Sequence, residues 1–347
     1  MISLVDGFNP SGGKHCITTA LKQVFEFFKY PLTEEMIFGV GSGLSFVYIN
    51  LAKAPMVSGR TKPFEFEFKL AERLNIQIKC KTSSNYQRIF EETIKLIESN
   101  NPVLIYVDMP YLKYLNLDVG SHFGGHAVVI FGYDDKTQNF YISDRDNSDY
   151  PIRTPNGDIA QDYHLVNYKD VEKARSSNHR PFPANNKYLE ISFNNYQKIT
   201  TSIIFSAIQE TCYNMLNAPA KLLGLQGIEK FSKEILKWEK FDTEKLKLAG
   251  LTNYFQISAD GGTGGGIFRK MYGDFLIQAS QIVCSEDMKY LGNCYINISK
   301  EWDKLADLMW KLSETANIEL LHEMSDIVKR LRIEETTVLT ELQKITI

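Results

Sequence analysis

The spacing of hydrophobic and polar residues changes near residue 195. Before that point, short runs with strand-like patterns alternate with helical ones, whereas after it apolar residues recur almost throughout at helical spacing. The pattern therefore predicts an α+β domain over residues 1–195 and an all-α domain over residues 196–347.

Individual elements follow from the same pattern. The first part predicts helices at 15–30, 64–74 and 86–99, a short capped helix from about residue 33, and strands at 44–50, 76–79, 102–108, 127–133, 139–142 and 187–193. The polar run 134–138 between two of these strands predicts a hairpin turn. The second part predicts helices at 199–216, 226–239, 243–256, 266–283 and, in broken pieces, 298–345.

Composition narrows the class of protein. The net charge is −3 with basic and acidic residues interspersed, so neither nucleic acid nor an anionic membrane is expected as a partner. Five cysteines without C-x-x-C spacing favour neither a disulfide scaffold nor a metal site. The first residues lack signal-peptide features and no apolar run approaches membrane-spanning length, so a cytoplasmic location is expected.

Candidate chemistry begins at Cys16. This residue opens an amphipathic helix directly after the flexible run 9–13 (NPSGG). Unpaired N–H groups at a helix start lower a thiol pKa and can stabilise a developing oxyanion. Cys16 is therefore a candidate nucleophile, with its own backbone N–H and the Asn9 side chain as candidate oxyanion donors.

A candidate base lies far downstream. His126 begins one strand of the predicted hairpin, and Asp144 follows the other strand, so the two side chains can meet at the same end of the hairpin. Asp144 would then orient the imidazole and stabilise its charged form. Cys16, His126 and Asp144 stand in the chain order of papain-like cysteine enzymes.

Several alternatives stay open at this point. Cys16 could be a core residue, and His122 is a rival base four residues before His126. His15 is expected to point away from Cys16, because neighbouring helical residues do not share a face. His164 is expected in a helical, structural context.

Longer motifs resemble a known family. Residues 15–21 (HCITTAL), 34–46 (EEMIFGVGSGLSF), 59–60 (GR) and 125–134 (GHAVVIFGYD) resemble the N-terminal domain of butirosin biosynthesis protein H. Residues 262–276 (GTGGGIFRKMYGDFL) resemble the helical domain that accompanies it. The resemblance spans nearly the whole chain.

The resemblance implies a papain-like fold and an acyl transfer. In the family prototype, an aminoacyl group moves from an acyl-carrier-protein thioester to an amine of an aminoglycoside. Carried over, Cys16 would accept the acyl group, His126 would act as base and then acid, and Asp144 would orient it. No cofactor is implied, because the phosphopantetheine arm arrives on the donor.

Other residues are weaker candidates for substrate binding. The segment around Thr263 and Gly264 could offer helix-start N–H groups to a phosphate of the donor, with Arg269 or Arg60 as the cationic partner. The alternative is that these glycines allow close helix packing. A group of acidic residues would suit a polycationic acceptor, or would simply be a helix start and a solvated loop: Glu34, Glu35, Asp146 and Asp149.

Three functions remain distinguishable by experiment. The first is an acyltransferase that takes a thioester and an amine as partners, the second a cysteine peptidase or amidase with the same triad, and the third a catalytically silent binding protein. The C-terminal helices have apolar faces, which could form a homo-oligomer. Packing in the core of the monomer is the favoured alternative for the residues on these faces: Trp302, Leu305, Leu308, Trp310 and Leu312.

Overall fold

A computed structural model of the protein describes residues 2–118, 120–154 and 156–345. It is an α+β structure, and every strand pairing in these ranges is antiparallel. The elements in chain order are β1 (Ile2–Leu4), α1 (Cys16–Phe27), α2 (Glu34–Val40), β2 (Leu44–Asn50), β3 (Pro55–Arg60), α3 (Glu65–Leu74), β4 (Gln77–Lys81), α4 (Tyr86–Glu98), β5 (Val103–Val107), β6 (His126–Asp134), β7 (Asn139–Ser143), β8 (Ile152–Thr154), β9 (Gly157–Ile159), β10 (His164–Asn167), α5 (Tyr168–Ser176), β11 (Tyr188–Ser192), α6 (Thr201–Leu216), α7 (Gly224–Leu236), α8 (Thr243–Ile257), α9 (Arg269–Val283), α10 (Glu286–Thr315) and α11 (Leu320–Ile345).

The chain forms two compact units. The first comprises residues 1–37 and 75–196, and the second comprises residues 38–74 and 197–347. The chain passes from the first unit to the second between residues 196 and 197, close to the domain boundary that was expected near residue 195. Residues 38–74, however, group with the helical unit, whereas the sequence pattern assigned them to the N-terminal domain.

A seven-stranded sheet organises the first unit. Its strand order is β10-β7-β6-β5-β11-β4, and β1 pairs with β6. Strand β6 is buried along its whole length, because its apolar residues pack on both faces of the sheet. Helix α1 contacts β6 and β5 and so packs against this sheet.

The hairpin that carries the candidate base is confirmed. Strand β6 pairs with β7 through Val129 opposite Ser143, and the register shifts once between Ile130 and Gly132. On its other edge, β6 pairs with β5, with His126 opposite Val107. Strands β1, β3, β8, β9 and β10 and helix α5 were not predicted from sequence.

The second unit is mainly helical and contains the β2–β3 hairpin. Asn253 of α8 joins hairpin and helices, since its side chain accepts from the Val57 N–H and donates to the Pro55 carbonyl, both at 3.0 Å. On α10, Trp302, Leu305 and Leu312 are buried within this unit, whereas Trp310 is 41% exposed. Most of this apolar face is therefore core.

Candidate active site

Cys16 is the first residue of α1 and is partly exposed. The preceding residue, His15, is an extended N-cap whose side chain makes no capping bond to the helix. The N–H of the first helical residue has no partner within its own helix, so the Cys16 N–H lies at the positive end of the helix beside the thiol. This position favours a thiolate and offers one donor to an oxyanion.

Two glycines let the chain before Cys16 pack closely. A Cβ on Gly12 would lie 2.4 Å from Asn147 Oδ1, and one on Gly13 would lie 2.3 Å from Thr19 Oγ1. The Gly13 N–H also donates to the Arg145 carbonyl at 2.8 Å. The run that looked flexible in the sequence is therefore fixed against the segment that follows Asp144.

Glu34 of α2 anchors the same segment. Its buried carboxylate accepts the Lys14 N–H at 2.8 Å and the His15 N–H at 3.1 Å. It also accepts the hydroxyls of Thr18 at 2.6 Å and Thr19 at 2.9 Å. Glu34 thus stabilises the chain around Cys16 and is not a surface site for a polycation.

His126 and Asp144 lie together, as the hairpin predicted. The two residues are 3% and 2% exposed, and His126 Nε2 lies 2.8 Å from Asp144 Oδ2. His126 also lowers the pKa of the Cys16 thiol through a hydrogen bond and its charge. Since Nε2 faces Asp144, Nδ1 is the nitrogen left for the sulfur. The structure therefore brings all three predicted residues together.

The charges of this group stabilise an ion pair. Burial raises the pKa of the Cys16 thiol, but the charge on His15 and the hydrogen bonds from His126 and His15 bring it well below its ordinary value. Burial lowers the pKa of His126, but the charge and hydrogen bond of Asp144 outweigh it and raise that pKa to about 10. Both pKa shifts favour a thiolate beside an imidazolium.

Asp144 is the centre of a wider network. Burial opposes its ionisation, yet the charge of His126 and hydrogen bonds from His126, Tyr114 and the Arg145 N–H lower the pKa of Asp144 to about 2. The Tyr114 hydroxyl donates to Asp144 Oδ2 at 2.7 Å. Burial and the charge of Asp144 raise the pKa of Tyr114 well above its usual value, so the phenol remains a donor.

A second histidine–aspartate pair adjoins this network. The Tyr114 ring stacks on the His164 ring with centroids 3.7 Å apart, and His164 Nε2 lies 2.9 Å from Asp146 Oδ1. His164 begins strand β10, so the expectation of a helical context was wrong. The only sequence signal was spacing, since 18 residues separate Asp146 from His164 as they separate His126 from Asp144.

His15 also differs from expectation. Its backbone is extended, with φ −135° and ψ 132°, so helical spacing does not fix the direction of its ring. The ring is buried, with Nδ1 3.4 Å from the Thr18 hydroxyl, and its charge helps to lower the pKa of the Cys16 thiol. His15 and His126 therefore both lower the pKa of the Cys16 thiol.

His122 belongs to another cluster. Its Nδ1 lies 2.8 Å from Asp108 Oδ2, and its ring stacks on His179 with centroids 3.4 Å apart. Asp108 also accepts the Ser177 hydroxyl at 2.5 Å. The described contacts of His122 are therefore with Asp108 and His179, and His122 does not contribute to the lowered pKa of Cys16.

Asn9 has a less definite position. It is exposed, and its side-chain amide lies 3.5 Å from the Gly7 carbonyl oxygen. Its role as second oxyanion donor stays a prediction.

The remaining predicted residues lie in the second unit, where Arg269 is completely buried. Its guanidinium donates to both carboxylate oxygens of Glu335, at 2.9 and 3.0 Å, and to the carbonyls of Ser45 and Ile267. The predicted phosphate contact of Arg269 is therefore replaced by a buried structural ion pair. Arg60 is partly exposed and donates to the Thr61 carbonyl at 3.3 Å.

The glycine-rich segment is held by internal contacts. The buried Thr263 hydroxyl contacts the Ile257 and Ser258 carbonyls at 3.0 and 2.9 Å, and Gly264 has a φ of +72° that favours glycine. The Gly266 N–H donates to Asp303 Oδ1 at 2.7 Å. Asp303 therefore accepts a hydrogen bond from one N–H group of the segment that was predicted to bind a phosphate.

Two broader observations concern the described residues. Within residues 2–118, 120–154 and 156–345, the His, Cys, Asp and Glu side chains form no group of three arranged to hold a metal ion. In the same ranges, no helix combines the length and the apolar character needed to cross a membrane.

Comparison with protein families agrees with the motifs. Residues 15–145 match the model of butirosin biosynthesis protein H, N-terminal, and residues 169–342, about half of the chain, match a domain of unknown function (DUF4872). The chain belongs to the butirosin biosynthesis protein H-like family, as the sequence predicted. This family is linked to a biosynthetic pathway, which indicates an enzyme. No curated protein matches the chain significantly.

Proposed function

We propose that the protein is a cysteine-dependent acyltransferase. It takes an acyl or aminoacyl group from an acyl-carrier protein or another thioester and transfers it through Cys16 to an amine. The observation that carries this proposal is a Cys16 thiol at a helix start whose pKa is lowered by His126, while His126 Nε2 lies 2.8 Å from Asp144 Oδ2. The family's link to butirosin biosynthesis supports an acceptor of the aminoglycoside type, in a pathway of specialised metabolism.

Acylation uses the thiolate–imidazolium pair. The Cys16 sulfur attacks the thioester carbonyl carbon, and the Cys16 N–H stabilises the oxyanion. The bond between the carbonyl carbon and the donor sulfur then breaks. The departing sulfur takes the proton of His126, which leaves a neutral imidazole and an acyl group on Cys16.

Transfer to the amine reverses these proton movements. The amine nitrogen attacks the acyl carbonyl and gives its proton to His126. The bond to Cys16 breaks, its electron pair returns to the sulfur, and the starting ion pair is restored. Asp144 keeps the imidazole oriented through both steps.

We assign the papain-like architecture to the part of the chain that holds these residues. Support comes from a nucleophile at the start of α1, a base at the start of a central antiparallel strand, and the chain order of Cys16, His126 and Asp144. All five cysteines are free, which suits a reducing cytoplasm.

Intact-mass analysis with simple acyl thioesters tests the acylation step. The wild type should gain the mass of one acyl group, and Cys16→Ala should gain none. Cys284→Ala is the matched control, because Cys284 is an exposed cysteine in the second unit and its loss should leave acylation unchanged.

The outcomes separate the three candidate functions. An adduct that amines discharge supports transfer, whereas an adduct that water discharges equally fast supports a hydrolase. No adduct, together with a Cys16 that alkylates no faster than an ordinary thiol, would contradict both enzymes and favour a binding protein.

A further inference from the structure

We propose that Tyr114 is a positioning residue, whose hydroxyl fixes the carboxylate of Asp144 and whose ring is fixed in turn by the ring of His164. The hydrogen bond to Asp144 stands on the geometry of the first unit alone, whereas its effect on acyl transfer rests on the proposed function. Tyr114 acts through Asp144 and His126 and does not itself react.

The Asp144 carboxylate is held at both of its oxygens. The Arg145 N–H donates to Oδ1 at 2.7 Å, and the Tyr114 hydroxyl donates to Oδ2 at 2.7 Å. His126 Nε2 lies 2.8 Å from the same Oδ2. Because the Arg145 donor belongs to the backbone, the Tyr114 hydroxyl is the side-chain donor that holds Oδ2 towards the imidazole.

The ring of Tyr114 is itself held in place. Tyr114 lies in a single 3₁₀ turn, Lys113–Leu115, in which Leu115 is buried. Its ring stacks on the buried ring of His164, with centroids 3.7 Å apart and planes 7° from parallel. His164 Nε2 lies 2.9 and 3.1 Å from the two carboxylate oxygens of Asp146. Asp146→Asn could still accept from His164, so the stack does not need the charge of Asp146.

The hydroxyl suits the reaction because it remains a donor in both charge states of His126. In the proposed acylation, His126 gives its Nδ1 proton to the departing thiol and becomes neutral, with Nε2–H still directed at Asp144. Burial and the charge of Asp144 raise the pKa of Tyr114 well above its usual value, so the phenol keeps its proton throughout. Asp144 therefore keeps one orientation while the imidazole loses and regains a proton.

The pH dependence of Cys16 alkylation by iodoacetamide tests the hydrogen bond without any acyl transfer. Tyr114→Phe removes the hydroxyl and keeps the stacked ring. In this variant, we expect the pH at which the alkylation rate falls to half its maximum to rise by about one unit or more. The physical reason is that Asp144, having lost a donor to its charged form, takes up a proton at a higher pH and then no longer supports the charge on His126.

Tyr188→Phe is the matched control for this measurement. Tyr188 is a buried tyrosine of the same unit, and its hydroxyl donates to another carboxylate, Glu92 Oε2, at 2.9 Å. Its loss should leave the half-maximal pH of alkylation at the wild-type value. Tyr114→Met, which also lacks the hydroxyl, takes the place of Tyr114→Phe if that variant does not fold.

Single-turnover acylation by a thioester tests the effect on the reaction. We expect Tyr114→Phe to lower the maximal acylation rate about tenfold at pH 7, because the base is held less well. The thioester concentration that gives half of this rate should stay within about twofold of the wild type, since Asp144 orients a catalytic group and does not bind substrate. Tyr188→Phe should match the wild type in both quantities.

An unchanged half-maximal pH of alkylation in Tyr114→Phe, or an equal rise in Tyr188→Phe, would overturn the proposal. A rise confined to Tyr114→Phe in a protein that thioesters never acylate would overturn the proposed function and support the hold of Tyr114 on Asp144. Such a rise with wild-type acylation kinetics in Tyr114→Phe would support acyl transfer and overturn the positioning role of Tyr114.

Discussion

Asp144 shows how a single buried carboxylate can set the chemistry of a neighbouring thiol. It accepts from the Tyr114 hydroxyl and the Arg145 N–H at 2.7 Å each, and it lies 2.8 Å from His126 Nε2. Such donors keep a buried carboxylate charged. The charge raises the pKa of His126, and the hydrogen bond and charge of His126 lower the pKa of the Cys16 thiol. In the proposed reaction, the reactivity of Cys16 therefore depends on Asp144 through His126.

Asp144→Asn tests this dependence. The change removes the charge that holds His126 protonated, so we expect acylation of Cys16 to fall by roughly 10²-fold or more. Stopped-flow or quenched-flow acylation with a thioester measures the rate. Asp146→Asn is the matched control, because Asp146 is equally buried and pairs with His164. An equal loss in both variants would contradict the role of Asp144.

The raised pKa of His126 leads to a prediction about how stability depends on pH. Burial opposes the charge on His126, but Asp144 raises the pKa of His126 to about 10, above its unfolded value of about 6.5. Its stabilising contribution is therefore complete below about pH 6.5 and is lost as the pH rises towards 10.

Denaturant unfolding between pH 6 and 10 measures this contribution. Cys16→Ala serves as parent, so that the thiol does not titrate, and Cys16→Ala/His126→Gln is compared with it. We expect the difference in free energy of unfolding to be largest near pH 6 and to shrink as the pH rises. A difference that grows with pH would contradict the assignment.

At the scale of elements, the start of α1 depends on close backbone packing. Gly13 faces Thr19 and Glu34, and a Cβ there would lie 2.3 and 2.5 Å from their oxygens. We expect Gly13→Ala to cost about 1–3 kcal/mol of unfolding free energy and to weaken alkylation of Cys16 at pH 6, because the segment must shift. Urea unfolding and alkylation rates measure both effects.

Gly120→Ala provides the control for this substitution. A Cβ at Gly120 meets nothing within 4 Å, so its unfolding free energy should stay within about 0.5 kcal/mol of the wild type. Equal free energies of unfolding for Gly13→Ala and Gly120→Ala would contradict the close packing of the segment before Cys16.

Some helices and strands could be predicted from the sequence, and others could not. Strand β2 and helices α3 and α4 follow their periodicity closely, and the β6–β7 hairpin placed Asp144 beside His126. Strand β10 has only four residues, and β3 (PMVSGR) contains a proline and a glycine, which are uncommon in strands. The direction of the His15 ring depends on an N-cap conformation, and the Tyr114–His164 stack depends on tertiary packing, so neither is encoded in local spacing.

At the scale of the whole molecule, each compact unit has its own buried charges. In the second unit, Arg269 pairs with Glu335, and the Trp302 Nε1–H donates to the same carboxylate at 2.9 Å. The three side chains are 0% exposed. The arginine that the sequence suggested for a ligand therefore serves the core of this unit.

Glu335→Gln tests that role. It leaves the Arg269 charge buried without its partner, so we expect a loss of about 3–5 kcal/mol in unfolding free energy. Thermal and urea unfolding measure the loss. Lys233→Gln, which breaks the exposed pair with Glu229, should cost less than about 0.5 kcal/mol. A Glu335→Gln variant as stable as this control would contradict a structural role for the pair.

The central claim is that Cys16 passes an acyl group to an amine. Its most direct test is a single-turnover experiment, in which isolated acyl-enzyme is mixed with increasing concentrations of an aminoglycoside or a simple primary amine. The account predicts that the acyl-enzyme disappears at a rate that rises with amine concentration and that the acyl group is recovered as the amide. Disappearance at a rate independent of amine, with the free acid as product, would contradict it.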